Sequence, residues 1–136
     1  MASFVLLDAS LTINAIDLSD HVVSLTLTIN NEVQDNSAMG DTYRSRLAGL
    51  NDWSADVTLL QDFASASVDA TLHPLIGAAA FAVVILPTSD SVSPTNPTYT
   101  GNALLENYPG IAGTLGETAQ VSFTLRGAGT LVRAEA

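Results

Sequence analysis

The chain has 136 residues, and its 14 acidic side chains against four arginines and no lysine give a formal net charge of −10. Surfaces that attract phosphates need clustered Lys and Arg, so this balance argues against nucleic-acid binding by attraction and against docking on an anionic membrane. The lack of cysteine excludes disulfides, thiolate metal sites and cysteine nucleophiles, and 13% charged beside 47% hydrophobic residues leaves an exterior rich in Ser, Thr, Asn and apolar groups, a composition that suits large subunit interfaces.

The length suits one domain, 1–136, that buries roughly two-thirds of the surface its unfolded chain exposes. Residues 1–7 carry too short an apolar run and no basic flank for a secretion signal or anchor. The longest nearly uncharged stretch, 75–86, is broken by Gly77 and falls short of the ~20 residues a spanning helix needs, so a soluble protein is expected.

Two apolar runs, 4–7 and 11–16, open the chain on either side of Asp8, and Asp17, Leu18, Ser19 and Asp20 then read as a turn. Over 23–29 the alternation is clean. Val23, Leu25, Leu27 and Ile29 share one face of a strand and Ser24, Thr26 and Thr28 the other. The same pattern returns in Trp53, Ala55, Val57 and Leu59 against Ser54, Asp56 and Thr58, and the two strands are expected to pair.

Between them, residues 31–51 keep neither a helical nor an alternating period and read as an extended loop. Connections in compact domains run to about 4–6 residues, and much longer ones are usually functional or disordered. This segment holds Arg44 and Arg46, two of the four arginines, together with Met39, Tyr43, Leu47 and Leu50. Arg, aromatic and Met side chains are enriched where protein surfaces bury one another, so the segment is read as an arm that docks on a partner, its arginines pairing with carboxylates of an adjacent subunit.

Over 65–76 the period changes, and Val68, Leu72, Leu75 and Ile76 fall on one side of a helix, with Ser65 or Ser67 as cap, Gly77 as terminator and Pro74 as the weak point. Residues 80–86 are apolar on both faces and predict a strand buried on both sides. A loop over 88–97, a strand over 98–107 and a turn at Tyr108, Pro109 and Gly110 follow. A last strand alternates Ala119, Val121, Phe123 and Leu125 with Gln120, Ser122 and Thr124, before a tail with a short apolar element at Leu131 and Val132. The sum is a mainly β protein, an antiparallel sandwich or barrel with one flanking helix and a long inter-strand loop.

Catalytic patterns are poor. His21 with Asp17 and Asp20 has the residue types of a metal site, but a His at a strand entrance after an acidic turn reads better as solvated. His73 reads as a partly buried structural histidine. No Ser stands in a strand, glycine-flanked Ser and helix context. Gly110, Gly113 and Gly116 mimic a phosphate loop, yet a strand and not a helix is expected after them, which makes them a hairpin connection. No enzyme activity, cofactor or metal is expected.

Several stretches carry a resemblance: Asp17-Leu18-Ser19-Asp20-His21-Val22, Ala38-Met39-Gly40-Asp41-Thr42, Arg46-Leu47-Ala48-Gly49-Leu50 with Trp53, Gln61-Asp62-Phe63 into Val68-Asp69-Ala70-Thr71-Leu72, and Ser93-Pro94-Thr95-Asn96-Pro97. In this order, over about 17–129, the chain resembles the major tail tube proteins of long-tailed (siphovirus-like) bacteriophages. These are packing and turn signatures and carry no catalytic motif.

The resemblance implies a β-barrel-like sandwich with a flanking helix, hexameric rings stacked into a hollow tube that conducts the genome, and a loop reaching neighbouring subunits, often ordered only on assembly. It further implies other tail proteins at the tube ends, DNA passing without specific binding, no membrane partner, and a place in the virion after assembly in the host cytoplasm. The polar strand faces then supply lumen candidates: Thr26, Thr28, Asp56, Thr58, Gln120, Ser122 and Thr124, with Ser24 and Ser54, a face that as read carries no cation. A capsid decoration protein, a secretion-system tube subunit or a small β-barrel ligand-binding module are the alternatives.

Overall fold

The computed structural model describes residues 5, 7–65 and 67–135, so the apolar run expected over 4–7 lies partly outside the described residues. Eight strands form one antiparallel sheet: β1 (Ser10–Ile13), β2 (Ile16–Asp17), β3 (Val22–Asp35), β4 (Arg46–Leu60), β5 (Phe81–Leu86), β6 (Thr98–Asn107), β7 (Gln120–Gly127) and β8 (Val132–Ala134). Their order is β2-β1-β5-β6-β7-β4-β3, with β8 paired to β6. One short helix, α1 (Val68–Leu72), continues into a 3-10 turn, His73–Leu75.

Alternation decides what the sheet encloses. Trp53, Ala55, Val57 and Leu59 of β4 and Val121, Phe123 and Leu125 of β7 are all buried, as the two-residue period requires. Phe81, Val83 and Ile85 of β5, Ala103 and Leu105 of β6, and Leu11 and Ile13 of β1 add to the same cluster. Every inward face thus feeds one core, and α1 with its 3-10 turn covers it through Val68, Leu72 and Leu75. The sheet curls like a barrel: Ala9 and Ser19, at the β1–β2 edge, line one depression with Val22 and Leu25 of the opposite edge strand.

Several elements differ from the form their sequence pattern predicts. Residues 80–86 are not buried on both sides; Ala82 is exposed and Val84 and Leu86 are half-buried, because core material lies on one face of β5 only. In β3, Val23 and Ile29 are exposed and Leu25 and Leu27 half-buried, since β3 is an edge strand, bulged between Val22 and Ser24, whose far end runs past the core. The helix expected over 65–76 shrinks to α1 and its 3-10 turn. Pro74 lacks the donor for another α-helical bond, and the backbone turns to extended geometry at Ile76. Ile76 is consequently exposed, outside the stripe of Val68, Leu72 and Leu75, and His73 is exposed as well. Finally Ala119 precedes β7 and is exposed.

Trp53 is the keystone at the arm end of the barrel. Its indole N–H donates to the carbonyl of Gly129 at 3.1 Å. A Cβ on Gly127 would stand 2.4 Å from the indole Nε1, and one on Gly101 2.8 Å from its ring edge. Both glycines make room for the indole. The tight β1–β2 turn is carried by Asn14 and Ala15, both at positive φ, the geometry of a two-residue hairpin turn.

Candidate functional site

With few ionisable groups gathered in one place, the functional surfaces are built from strands. The first is an arm. β3 and β4 stay paired from Val22 opposite Leu59 out to Asp35 opposite Arg46, far past Trp53, where no third strand pairs with them among the described residues. Most of the loop expected over 31–51 is therefore a two-stranded ribbon, and only 36–45 is irregular.

A bulge explains why the sequence pattern failed there. Between Asn31 and Val33 on β3, two steps oppose three on β4, from Asn51 to Ala48, so the two-residue period breaks. Gly49 occupies the bulge. A Cβ there would stand 2.5 Å from the Glu32 carbonyl oxygen, so the close approach of the two strands depends on glycine.

The tip is tied to itself. The Ser37 N–H donates to Asp35 Oδ1 at 2.9 Å, the Ala38 N–H to Asp41 Oδ2 at 2.8 Å, and the Ser45 N–H to the Ser37 hydroxyl at 2.7 Å. Arg44 Nη1 donates to Asp35 Oδ2 at 2.6 Å. The Ser37 backbone N–H above all, then its hydroxyl and Arg44, hold the Asp35 carboxyl below the ordinary carboxylate range. Arg44 thus has a carboxylate partner within its own chain. Arg46 has no ion-pair partner among the described residues.

What the arm does not do is hide its apolar groups. Met39, Tyr43, Leu47 and Leu50 are all exposed, Met39 fully so, and Ile29 and Val33 add to them. The ribbon has no core of its own, and among the described residues nothing covers these groups. At its base a cavity of about 420 Å³ opens between Ile29, Asn51, Trp53, Gly129 and Leu131.

The second surface is the outer face of β3, β4 and β7. Registration brings the lumen candidates onto it together: Thr26 opposite Asp56, Thr28 opposite Ser54, Asp56 opposite Thr124 and Thr58 opposite Ser122. The hydroxyls of Thr58 and Ser122 meet at 2.9 Å, and Thr124 Oγ1 donates to Asp56 Oδ1 at 2.8 Å. Gln120 is exposed at the end of the face, opposite Leu60. One correction is due: the face does carry a cation. Arg126 continues the same alternation beyond Thr124, lies opposite Ser54, and donates to Glu106 Oε2 of β6 at 3.0 Å. That ion pair, and the nearby Asp52 and Asp56, raise its pKa further.

The remaining polar cluster is structural. His21 Nε2 lies 3.1 Å from Asp62 Oδ2 and 3.4 Å from Ser67 Oγ, joining the start of β3 to the segment before α1. His21 is thus partnered and half-buried, not simply solvated. Both contacts use the same ring nitrogen and Nδ1 is buried without a partner, so no Ser-His-Asp relay can run through it. Asp17 does not join His21; it accepts from the N–H and hydroxyl of Ser19. Among the described residues no group of three or more His, Asp or Glu is placed to hold a metal ion. The Gly110, Gly113 and Gly116 loop joins β6 to β7, with no helix after it.

Sequence reasoning missed the hydrogen bonds of Asn96, which is buried, accepts from the Thr88 N–H and donates to the carbonyls of Asp90 and Ser91, pinning the 87–97 loop. It also missed Tyr108, whose hydroxyl donates to Asp69 Oδ1 at 2.7 Å and accepts from Gln61 at 2.9 Å. The Pro and Asn density around 96 was the available signal for the first; nothing local signals the second.

No protein-family model matches the chain, and no curated protein does. Solved structures do. A chain of the virion of a native gene transfer agent particle superposes with a TM-score of 0.75 at 13% identity, over 93% of this chain and 95% of that one. A chain of the tail of an empty particle of this kind, refined helically with C6 symmetry, gives 0.65 at 14% identity over 82% and 81%. A chain of the sheath-tube complex of an extracellular contractile injection system, PVC, in its extended state gives 0.65 at 10% identity over 94% and 88%. The architecture of this chain is the one found in those particles.

Proposed function

We propose that this chain is the major subunit of a tail tube, closing into hexameric rings that stack into a hollow conduit for DNA. One observation carries the reading: a barrel that matches chains of a sixfold tail and of a sheath-tube complex over most of its length also projects a ribbon of exposed apolar side chains that its own core cannot cover. A monomer has no use for such an arm. Exposed patches of this kind mark interaction surfaces.

The outer face of β3, β4 and β7 is the lumen in this reading. It offers hydroxyls, the carboxylates of Asp56 and Glu106, and one arginine whose guanidinium is already occupied by Glu106. Phosphates meet mild repulsion there, and no free cation at which counterion release could tighten binding. DNA would pass without a specific site, no reaction is assigned, and the subunit would reside in the virion with other tail proteins at the tube ends.

Negative-stain microscopy of the purified protein tests the assignment. Sixfold rings or tubes are expected; persistent monomers would overturn it, and trimers would instead favour a decoration protein. For the lumen, Thr28→Lys with Thr124→Lys should leave tubes intact while slowing DNA passage in a salt-dependent way. Unchanged passage through tubes carrying both lysines would put this face on the outside. The similarity to the sheath-tube complex supports a second reading, a tube within a contractile sheath, which differs only in what surrounds the tube.

A further inference from the structure

The two ends of β4 differ in their cations, for the arm end carries arginine and the far end carries none. At the arm end, Arg46 has no carboxylate partner among the described residues and shares its face of the ribbon with the exposed Val33, which lies opposite Ala48. At the other end, Leu60 pairs with Gln120, where the 108–119 loop enters β7. That loop exposes Ile111 and Leu115, the latter completely, beside Glu117, whose carboxylate has neither an ion pair nor a hydrogen bond among the described residues. Glu117 lines an open depression of about 470 Å³ with Gly113, Gly116 and Gln120.

Arginine is confined to one end, although the ribbon also carries Glu32, Asp35, Asp41 and Asp52. All four arginines lie on the arm or on the arm-ward part of the barrel: Arg44 and Arg46 on the ribbon, Arg126 opposite Ser54 and Arg133 opposite Tyr99 at the start of β6. The loop end has none, while Asp62, Asp69 and Glu117 lie on it. The fifteen residues of β4 hold the two ends ~50 Å apart at about 3.3 Å per residue, so a chain cannot satisfy its own Arg46 with its own Glu117.

We infer that the 108–119 loop is the receptor for the arm of a second copy of this chain, with Arg46 of one copy entering the depression beside Glu117 of the next, and Val33 packing on Ile111 and Leu115. The inference rests on the tube reading for its biological setting but not for its chemistry. Such a contact is heterologous, head to tail, so it generates a ring where the rotation between copies closes and a filament along an axis where it does not. An unpaired guanidinium and an unpaired carboxylate, each beside bare apolar groups, become one desolvated pair inside an apolar ring, the arrangement in which losing one partner is most costly.

The test is a charge exchange on the full chain, with far-UV circular dichroism as the folding control and sedimentation as the readout. Arg46→Glu and Glu117→Arg should each raise the concentration needed for assembly by roughly tenfold or more, and the double exchange should recover most of that loss. A Leu115→Ser variant, which leaves both charges in place, should also weaken assembly. If the single variants assemble as wild type does, or the double exchange is no better than either single, the receptor is elsewhere and the inference falls while wild-type tubes keep the tube reading intact. If wild type forms only short head-to-tail oligomers that respond to the exchange, the contact stands and the tube reading falls.

Discussion

The same pair of strands does two different jobs on either side of Trp53. Below it, from Ala55 to Leu59, the inward side chains of β4 are buried under α1 and the other strands; at and above it, Ile29 and Val33 of β3 keep the inward alternation, Leu47 projects from the other face past the bulge, and all three stand in solvent. Backbone pairing is continuous through both halves. What differs is whether a third element is present. A ribbon of two strands has no interior, so hydrophobic alternation signals burial only where something is laid over the apolar face. The body spends its apolar side chains on its own core, and the arm keeps them for a surface outside the chain.

The largest test of that division is at the boundary. Trp53→Ala removes the side chain that closes the arm end of the core and leaves the Gly129 carbonyl without its indole donor, so it should cost about 3–5 kcal/mol in urea unfolding of the isolated chain. Gly127→Ala should reproduce part of this, roughly 1–3 kcal/mol, since its Cβ would meet the indole. If Trp53→Ala proved neutral, the boundary would not lie there. Leu72→Ala, on the fully buried face of α1, comes next at about 2–3 kcal/mol, toward the lower end of such losses because one short helix can settle into the space. The effect should appear in unassembled protein; a loss confined to assembled material would make that stripe an inter-subunit contact.

The body was legible in the sequence and the arm only in part, for one physical reason. Alternation in 53–59 and 119–125 named the buried residues of β4 and β7 correctly, Ala119 excepted, because period two is preserved wherever pairing is regular. The extra residue at Gly49 breaks that period, so 31–51 looked structureless although most of it is paired. The exposed groups Met39, Tyr43, Leu47 and Leu50 were found by residue type, which a bulge does not scramble. Long-range partners were out of reach: Arg44 with Asp35 is a pairing across the arm, and Arg126 with Glu106 joins β7 to β6, neither implied by any local pattern. The helix was overextended because its apolar spacing was followed through Pro74, where the backbone could not follow.

A smaller effect separates the body's tether from its core. The Ala64 backbone N–H first, then Ser67 and His21, hold the Asp62 carboxyl below the usual carboxylate range. A carboxyl depressed in the folded state contributes stability that is fully present above its unfolded value of about 3.9 and is lost as pH falls through the folded value. Asp62→Asn should therefore be modestly less stable than wild type at pH 7, with the gap closing in the acid limb below about pH 4. A gap independent of pH would mean that the carboxylate's charge contributes nothing to the tether at the start of β3.

The smallest expected effect on the isolated chain is the most informative about the arm. Val33→Ser with Leu47→Ser removes two exposed apolar groups, one from each strand of the ribbon, without touching a core contact or the Asp35–Arg44 pair. Exposed substitutions away from caps, cores and strained backbone usually shift stability by no more than about 0.5 kcal/mol each. Unfolding of unassembled protein should accordingly overlay that of wild type, while assembly followed by sedimentation should be strongly impaired, because the apolar area these groups would bury on a partner is gone. The two readouts must part company for the division at Trp53 to hold. If the double variant unfolded as early as Leu72→Ala does, the arm would be packed against its own body in solution, and its apolar side chains would belong to the fold; if assembly were untouched, the arm would be exposed for some purpose other than joining subunits.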